Sequence, residues 1–159
     1  MSASVTVALR VRATPARAFE VFTRDIAMWW RPDPTFQITP RGDGVLAFEP
    51  WEGGRLTATL ANGRVFEIGR ISVWEPGRRL VFGWRQATFG PEMATEVEVT
   101  FEPVGDETRV NVCHRGWETV PQPHAARHGM ELLLFHRQAA HWWRGQLERL
   151  GTLPFAQGG

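Results

Sequence analysis

Hydrophobic and polar side chains alternate with a period of two along much of the chain. Residues 4–12 have apolar side chains at odd positions and mostly polar ones at even positions, a pattern typical of a half-buried β-strand. The alternation recurs between residues 36 and 116, interrupted by turn signals such as Asn62-Gly63. It predicts six further strands, at about residues 44–50, 54–60, 64–74, 79–86, 94–103 and 107–115. Because tight turns join consecutive strands, we expect an antiparallel meander.

Two other segments follow a helical period. Thr14 and Pro15 are typical of a helix start, because threonine caps the first turn and proline lacks only an amide that would be unpaired there. Helical spacing continues through Ile26 and stops before Pro32, which predicts two short helices after the first strand. Near the end of the chain, about residues 124–150 are predicted to form one long amphipathic helix. Its predicted buried face consists of Leu132, His136, Ala139, Trp143, Leu147 and Leu150.

The order of these elements defines the fold class. One strand, two short helices, six antiparallel strands and a long helix make an α+β arrangement, in which the helix covers one face of the sheet. A seven-stranded curved antiparallel sheet around a long C-terminal helix leaves space at its ends, and such space is a natural pocket. We predict a single domain over residues 1–153 and a loose C-terminal tail at residues 154–159.

The aromatic composition changes this picture. The chain of 159 residues contains 8 Trp and 10 Phe but no Tyr. At roughly 150–250 Å² of buried surface each, these side chains stabilise a domain of this size without disulfides. They have two interpretations. They either fill an ordinary core or line a cavity for a flat apolar ligand, where indole N–H groups supply directional contacts.

Charge and cysteine content exclude several classes of function. All 18 basic residues are arginine, so lysine Schiff-base chemistry and a Walker-type phosphate loop are ruled out. The net charge is +1 and no basic stripe is present, so no nucleic-acid partner is expected. The single cysteine, Cys113, is typical of a reducing compartment. No apolar run is long enough for a membrane span, and we expect a soluble, cytoplasmic protein.

A set of short motifs appears in order along the chain. They are residues 15–23 (PARAFEVFT), Trp29-Trp30, Gly53-Gly54-Arg55, residues 75–84 (EPGRRLVFGW) and residues 114–117 (HRGW). Together they resemble the START-like (SRPBCC) superfamily, and within it the family named after the activator of heat-shock protein 90 ATPase homologue. The resemblance covers nearly the whole chain. It implies a helix-grip fold with a hydrophobic cavity between the sheet and the long helix.

Seven residues are predicted to line this cavity. Trp84 and His114 continue the inward rows of their strands. The others approach from the helices or from less securely placed strands. The predicted ligand-binding residues are Trp30, Phe48, Phe66, Trp84, His114, Phe135 and Trp143. Three further tryptophans, Trp74, Trp117 and Trp142, are predicted nearer the edge of the cavity or the surface.

His114 is the candidate polar residue of the cavity. It is either a buried histidine satisfied by hydrogen bonds or a group that orients a ligand or moves protons, since histidine titrates near neutral pH. Glu67 is its candidate carboxylate partner, although a bulge near Gly69 would turn Glu67 to the other face. His124 and His128 have a spacing that can share a metal, but no acidic third ligand stands at a fitting offset. We therefore predict no metal and no cofactor.

Three functions from different classes remain open at this point. The first is binding of a hydrophobic or aromatic small molecule in the cavity, with no covalent chemistry, as the inferred fold and the aromatic surplus suggest. The second is a chaperone-associated interaction domain with a role in stress response, as the family resemblance implies. The third is a cyclase-like or dehydratase-like enzyme in which His114 and Glu67 move protons. A homodimer is compatible with each of these.

Overall fold

Seven β-strands form a single sheet in the structure, a computed structural model that describes residues 4–33, 38–39, 44–86 and 88–155. The strands are β1 (Val5–Val11), β2 (Val45–Phe48), β3 (Arg55–Thr59), β4 (Val65–Glu75), β5 (Arg79–Trp84), β6 (Thr95–Val104) and β7 (Glu107–Arg115). The helices are α1 (Pro15–Arg24), α2 (Ile26–Trp29) and α3 (Leu132–Gly151), with short 3-10 helices at Trp117–Thr119 and Ala125–Arg127. The sheet order is β1-β7-β6-β5-β4-β3-β2, so the first strand pairs with the last.

The predicted α+β helix-grip fold is confirmed. All strand pairs are antiparallel, and the sheet curls into a half-barrel that holds α3. Each predicted strand lies within two residues of its observed bounds. The start of α1 also follows the prediction, because Thr14 Oγ1 accepts a hydrogen bond from the backbone N–H of Arg17 at 3.2 Å. Pro15 occupies the first turn of that helix.

The long helix is shorter than predicted. The sequence pattern indicated a helix from residue 124, whereas α3 begins at Leu132. His128 has a φ angle of 51°, in the left-handed region that an α-helix cannot accommodate, and this residue separates the 3-10 turn from α3. Five of the six residues predicted for the buried face of α3 are buried, Leu132 is half-buried, and Phe135, Trp142 and Gln146 are buried as well.

The two faces of the sheet differ in the way that the alternation predicts. On β6, Val97, Val99 and Phe101 are buried against the core. The glutamates between them face outward, where Glu98 lies 2.9 Å from Arg115. These outer ion pairs are partly exposed and contribute little to stability. The apolar rows of the inner face therefore decide the register of the strands.

A bulge interrupts β4 beside its close approach to β5. The pairing with β3 shifts between Glu67 and Gly69, which makes Ile68 an extra residue in β4. Ile68 is fully buried, so Glu67 is turned toward solvent. At Gly69 a Cβ atom would lie 1.8 Å from the backbone oxygen of Gly83 on β5. Only glycine fits this position.

Phe155, the last residue that the structure describes, packs back onto α1. Phe155 is buried, and its carbonyl oxygen accepts a hydrogen bond from Arg17 Nε at 3.4 Å. Residues 156–159, which make up most of the predicted tail, lie outside the described residues. The domain bounds stay a prediction. Among the helices of the described residues, none combines the length and apolar character needed to cross a membrane.

Candidate functional site

Four tryptophans meet where α2, β5 and α3 converge. Trp30 follows α2, Trp84 ends β5, and Trp142 and Trp143 are neighbours on α3. Their ring centroids lie 5.2–6.3 Å apart, mostly in tilted or edge-to-face contacts. All four side chains are more than nine-tenths buried. We call this group the tryptophan cluster; it joins the helices to the sheet.

A buried glutamine fixes the chain that leaves this cluster. Gln146 on α3 has no exposed surface. Its Oε1 accepts a hydrogen bond from the backbone N–H of Arg31 at 2.9 Å, and its Nε2 donates to the Arg31 carbonyl at 2.6 Å. One side chain thus satisfies both backbone groups of the residue after Trp30. This holds Trp30 against α3.

His114 lies beside the tryptophan cluster with both ring nitrogens engaged. Trp143 Nε1 donates to His114 Nδ1 at 3.1 Å. Because an indole N–H only donates, the histidine proton is on Nε2, which lies 3.0 Å from Thr95 Oγ1. The threonine hydroxyl in turn donates to the carbonyl of Trp84 at 2.7 Å. Burial, with a smaller contribution from His136, lowers the pKa of His114 to about 3, so the imidazole is neutral at physiological pH.

The proposed pair of His114 and Glu67 does not form. Glu67 is turned outward by the bulge in β4, where its carboxylate lies 3.6 Å from Arg70 and its side chain is 40% exposed. His114 has no exposed surface and uses its nitrogens on Trp143 and Thr95. Both ring nitrogens of His114 are thus occupied by partners inside the protein.

The position of Trp117 differs most clearly from the one predicted from the sequence. It was expected near the edge of the cavity or the surface, but it is fully buried. Its ring centroid lies 4.8 Å from His114 and 4.6 Å from Phe135. The cause is Gly116, whose φ of 99° turns the chain at the end of β7 back over the sheet. Trp142, which was also expected near the edge or surface, is buried in the tryptophan cluster.

The structure brings most of the predicted site residues into one region. Phe48 contacts Phe82 at 5.2 Å and connects through Phe22 and Trp29 to the tryptophan cluster. Phe66 lies apart, half-buried on β4 opposite Ala58 of β3. The five residues that come together are Trp30, Trp84, His114, Phe135 and Trp143, with Trp117 between His114 and Phe135.

Several buried nitrogen atoms in this region have no hydrogen-bond partner among the described residues. They are Trp84 Nε1, Trp117 Nε1, Arg127 Nε and His136 Nε2. Buried N–H groups are nearly always paired in folded proteins, because an unpaired one costs about 1–3 kcal/mol. Trp84 and Trp117 belong, with His114 and Phe135, to a series of contacting rings that we call the aromatic wall, and Arg127 lies 5.9 Å from the centre of the Phe135 ring.

Arg127 is the charged member of this set. Its side chain is buried, with one terminal nitrogen donating to the Val120 carbonyl at 2.8 Å and the other to the Met130 carbonyl at 2.6 Å. The guanidinium lies 5.9 Å from the centre of the Phe135 ring. Within the described residues no ion pair includes Arg127. Burial lowers the pKa of the guanidinium.

Two other features lie outside the aromatic wall. A recess of about 840 Å³ runs beside α1, where Phe19, Trp74 and Phe155 form its apolar side. His124, considered above as a metal ligand, has its Nε2 atom 2.7 Å from the carbonyl oxygen of Thr88. Over the part of the chain that the structure describes, no three His, Cys, Asp or Glu residues form a group suited to a metal ion.

A curled seven-stranded antiparallel sheet that grips a C-terminal helix defines the helix-grip class of proteins. Residues 12–146 match the family model for Activator of Hsp90 ATPase homolog 1-like protein, and the chain belongs to that family. The comparison with curated proteins finds no match.

Solved structures with the same fold come from distant organisms. Protein MLL2253 from Mesorhizobium loti is 19% identical, with 94% of each chain covered and a TM-score of 0.65. The Aha1 dimer from Colwellia psychrerythraea is 19% identical, with 99% of each chain covered and a TM-score of 0.64. PFC0360w, an HSP90 activator from Plasmodium falciparum, is 17% identical, with 92% of each chain covered and a TM-score of 0.60. At these identities the likeness establishes the fold alone.

Proposed function

We propose that this chain binds a hydrophobic or aromatic small molecule between the sheet and α3, without covalent chemistry. The observation that carries the proposal is the pair of buried, unpartnered indole N–H groups of Trp84 and Trp117, whose rings both contact that of His114. A ligand with an aromatic body and one acceptor atom would pack on the rings and pair these donors.

The state of His114 supports binding rather than catalysis. A general acid or base needs a free nitrogen within reach of the substrate and a pKa near the working pH. His114 donates to Thr95, accepts from Trp143, and has its pKa lowered by burial to about 3. The enzyme alternative therefore lacks its proposed proton donor.

A direct test uses the indole N–H signals of the protein in a nitrogen–proton correlation NMR spectrum. The chain has 8 Trp, and each is assigned by its own Trp→Phe variant. Naphthamide, a neutral aromatic molecule with a carbonyl acceptor, is the probe. We expect the signals of Trp84 and Trp117 to shift saturably as it is added. Trp51, which is 54% exposed, serves as the internal control. Signals of Trp84 and Trp117 that stay in place, or move no more than that of Trp51, would overturn the proposal.

The family offers a second candidate function. Membership in the Activator of Hsp90 ATPase homolog 1-like family, and likeness to an HSP90 activator, support association with a heat-shock chaperone. A cytoplasmic location and a role in stress response would accompany it. The test is the ATPase rate of the purified chaperone with and without this protein. An unchanged rate, together with no detectable complex, excludes this candidate.

The oligomeric state is tested by native mass spectrometry of the purified protein. The Colwellia structure is a dimer of the same fold, which supports a homodimer here. The same spectrum reports any small molecule that remains bound through purification. A monomer mass at all protein concentrations would exclude the homodimer.

A further inference from the structure

The buried charge of Arg127 has no counterion in the described part of the chain. The two terminal nitrogens donate to neutral carbonyl groups, and Nε is buried without a partner. Transfer of an unpaired charge into a protein interior costs several kcal/mol, so buried arginines normally face a carboxylate or phosphate. The two carbonyl groups satisfy the geometry of the guanidinium but do not neutralise it.

Two neighbours of Arg127 also have buried nitrogen atoms without a hydrogen-bond partner. His136, on the first turns of α3, is buried with an unpartnered Nε2, and Trp117 supplies the unpartnered indole N–H next to Phe135. Burial lowers the pKa of His136. The carboxylate of Glu118 opposes this shift, and the positive charge of Arg127 adds to it. Glu118 itself is exposed. This end of the aromatic wall therefore combines one buried positive charge with an unpartnered nitrogen atom on each of Arg127, His136 and Trp117.

We propose that Arg127 recognises the carboxylate of an acidic aromatic ligand, with the indole N–H of Trp117 as a neutral donor beside it. The inference rests on the proposed function and names the substrate class for that site. A guanidinium binds a carboxylate through charge-assisted hydrogen bonds, which are about twice as strong as neutral ones. The apolar body of the ligand then packs toward His114 and the tryptophan cluster, away from the charge.

Arg127 also holds the loop that precedes α3, because its bonds to Val120 and Met130 join two ends of that segment. A purely structural role explains those two bonds. That role does not explain why Nε has no partner or why the charge has no counterion. A neutral donor would also be enough to pair the two carbonyl groups. The ligand role accounts for both remaining features.

The experiment compares naphthamide with naphthoate, both substituted at the same ring position. The two probes have nearly the same shape but differ in charge. Titrations at neutral pH give the ratio of the two dissociation constants. We expect the unmodified protein to bind naphthoate about tenfold or more tightly than naphthamide, as one charge-assisted pair provides. In R127M the ratio should fall to about one, whereas R144M, which removes an exposed arginine of α3, should keep it.

Each outcome separates the two proposals. If naphthamide and naphthoate both fail to bind, the proposed function fails. If both bind with equal affinity to the unmodified protein, or if R127M keeps the preference, only the role of Arg127 is overturned. Should R127M not fold, the Nε–H signal of Arg127 in the unmodified protein decides. It must shift with naphthoate and not with naphthamide.

Discussion

The indole N–H of Trp143 donates to Nδ1 of His114 at 3.1 Å, and this bond links α3 to β7 inside the core. Both side chains have no exposed surface. Apolar contacts around them tolerate small displacements of the helix, but a hydrogen bond with a fixed direction does not. A slip of α3 would leave two buried polar groups unpaired. The pair therefore fixes where the long helix sits on the sheet and which histidine tautomer is present.

Replacement of Trp143 by phenylalanine should destabilise the protein, because it removes the indole N–H and leaves unfilled space in a fully buried position. We expect W143F to lower the free energy of unfolding by about 1–3 kcal/mol, because His114 Nδ1 is left as a buried, unpaired acceptor. Urea unfolding monitored by far-UV circular dichroism measures this. W51F is the matched control, since Trp51 is 54% exposed, and it should change stability by less than about 0.5 kcal/mol. Equal effects of the two substitutions would contradict the role of the bond.

His114 should also make stability depend on pH. Burial lowers its pKa to about 3 in the folded protein, against an ordinary value of 6.5 in the unfolded chain. Between these values the unfolded state binds a proton that the folded state does not. The free energy of unfolding is therefore highest above pH 6.5 and falls toward acid by up to about 1.4 kcal/mol per pH unit.

The measurement compares urea unfolding at pH 7.5 and pH 5 in the unmodified protein and in H114N. The loss of stability between these two pH values should be about 2 kcal/mol smaller in H114N. The comparison uses only the difference between the two pH values, so a general destabilisation by the substitution cancels. Burial lowers the pKa of His136 as well, so part of the acid sensitivity remains in the variant. An unchanged pH dependence in H114N would show that His114 does not carry this effect.

The sequence predicted the sheet well because one face of each strand is directed toward solvent and the other toward the core. Val97, Val99 and Phe101 alternate with polar residues, and the structure buries the first set and leaves the second partly exposed. The same logic correctly placed Trp84 and His114 on the inner face. Where a regular period continues, side-chain direction follows from position alone.

The sequence pattern is a poor guide at positions where the backbone departs from regular strand or helix geometry. The bulge at Ile68, an alternative that the sequence left open near Gly69, turns Glu67 outward, and the left-handed turn at Gly116 carries Trp117 into the core. Because His128 has a left-handed backbone conformation, α3 begins later in the sequence than predicted. Each depends on tertiary contacts that spacing does not encode. Arg127 falls within the predicted long helix, on its polar side, but the structure places it in the 3-10 helix before α3 and buries its side chain.

The amide of Gln146 should be needed to hold the segment after Trp30. Substitution Q146A removes both hydrogen bonds to the backbone of Arg31, and we expect a loss of about 2 kcal/mol or more in the free energy of unfolding. Hydrogen exchange at the Arg31 amide should accelerate more than exchange in the sheet, because the opening is local. Q138A is the control, since Gln138 is exposed on the same helix. Unchanged exchange at Arg31 would contradict this assignment.

Two glycines that face each other across β4 and β5 should respond differently to the same substitution. At Gly69 an added Cβ would lie 1.8 Å from the Gly83 carbonyl oxygen, a distance that the two strands relieve only by moving apart. At Gly83 the nearest atoms to an added Cβ are 3.7 Å away, an ordinary van der Waals contact. We therefore expect G69A to cost about 3 kcal/mol or more, as severe overpacking does, or to prevent folding.

G83A is the matched control for this effect, because it adds the same methyl group to the neighbouring strand. It should stay within about 1 kcal/mol of the unmodified protein and keep its thermal unfolding midpoint within a few degrees. Because the close approach at Gly69 accompanies the bulge that turns Glu67 outward, the same comparison tests the local geometry of β4. If both variants are equally stable, the backbones of β4 and β5 do not approach each other this closely at Gly69.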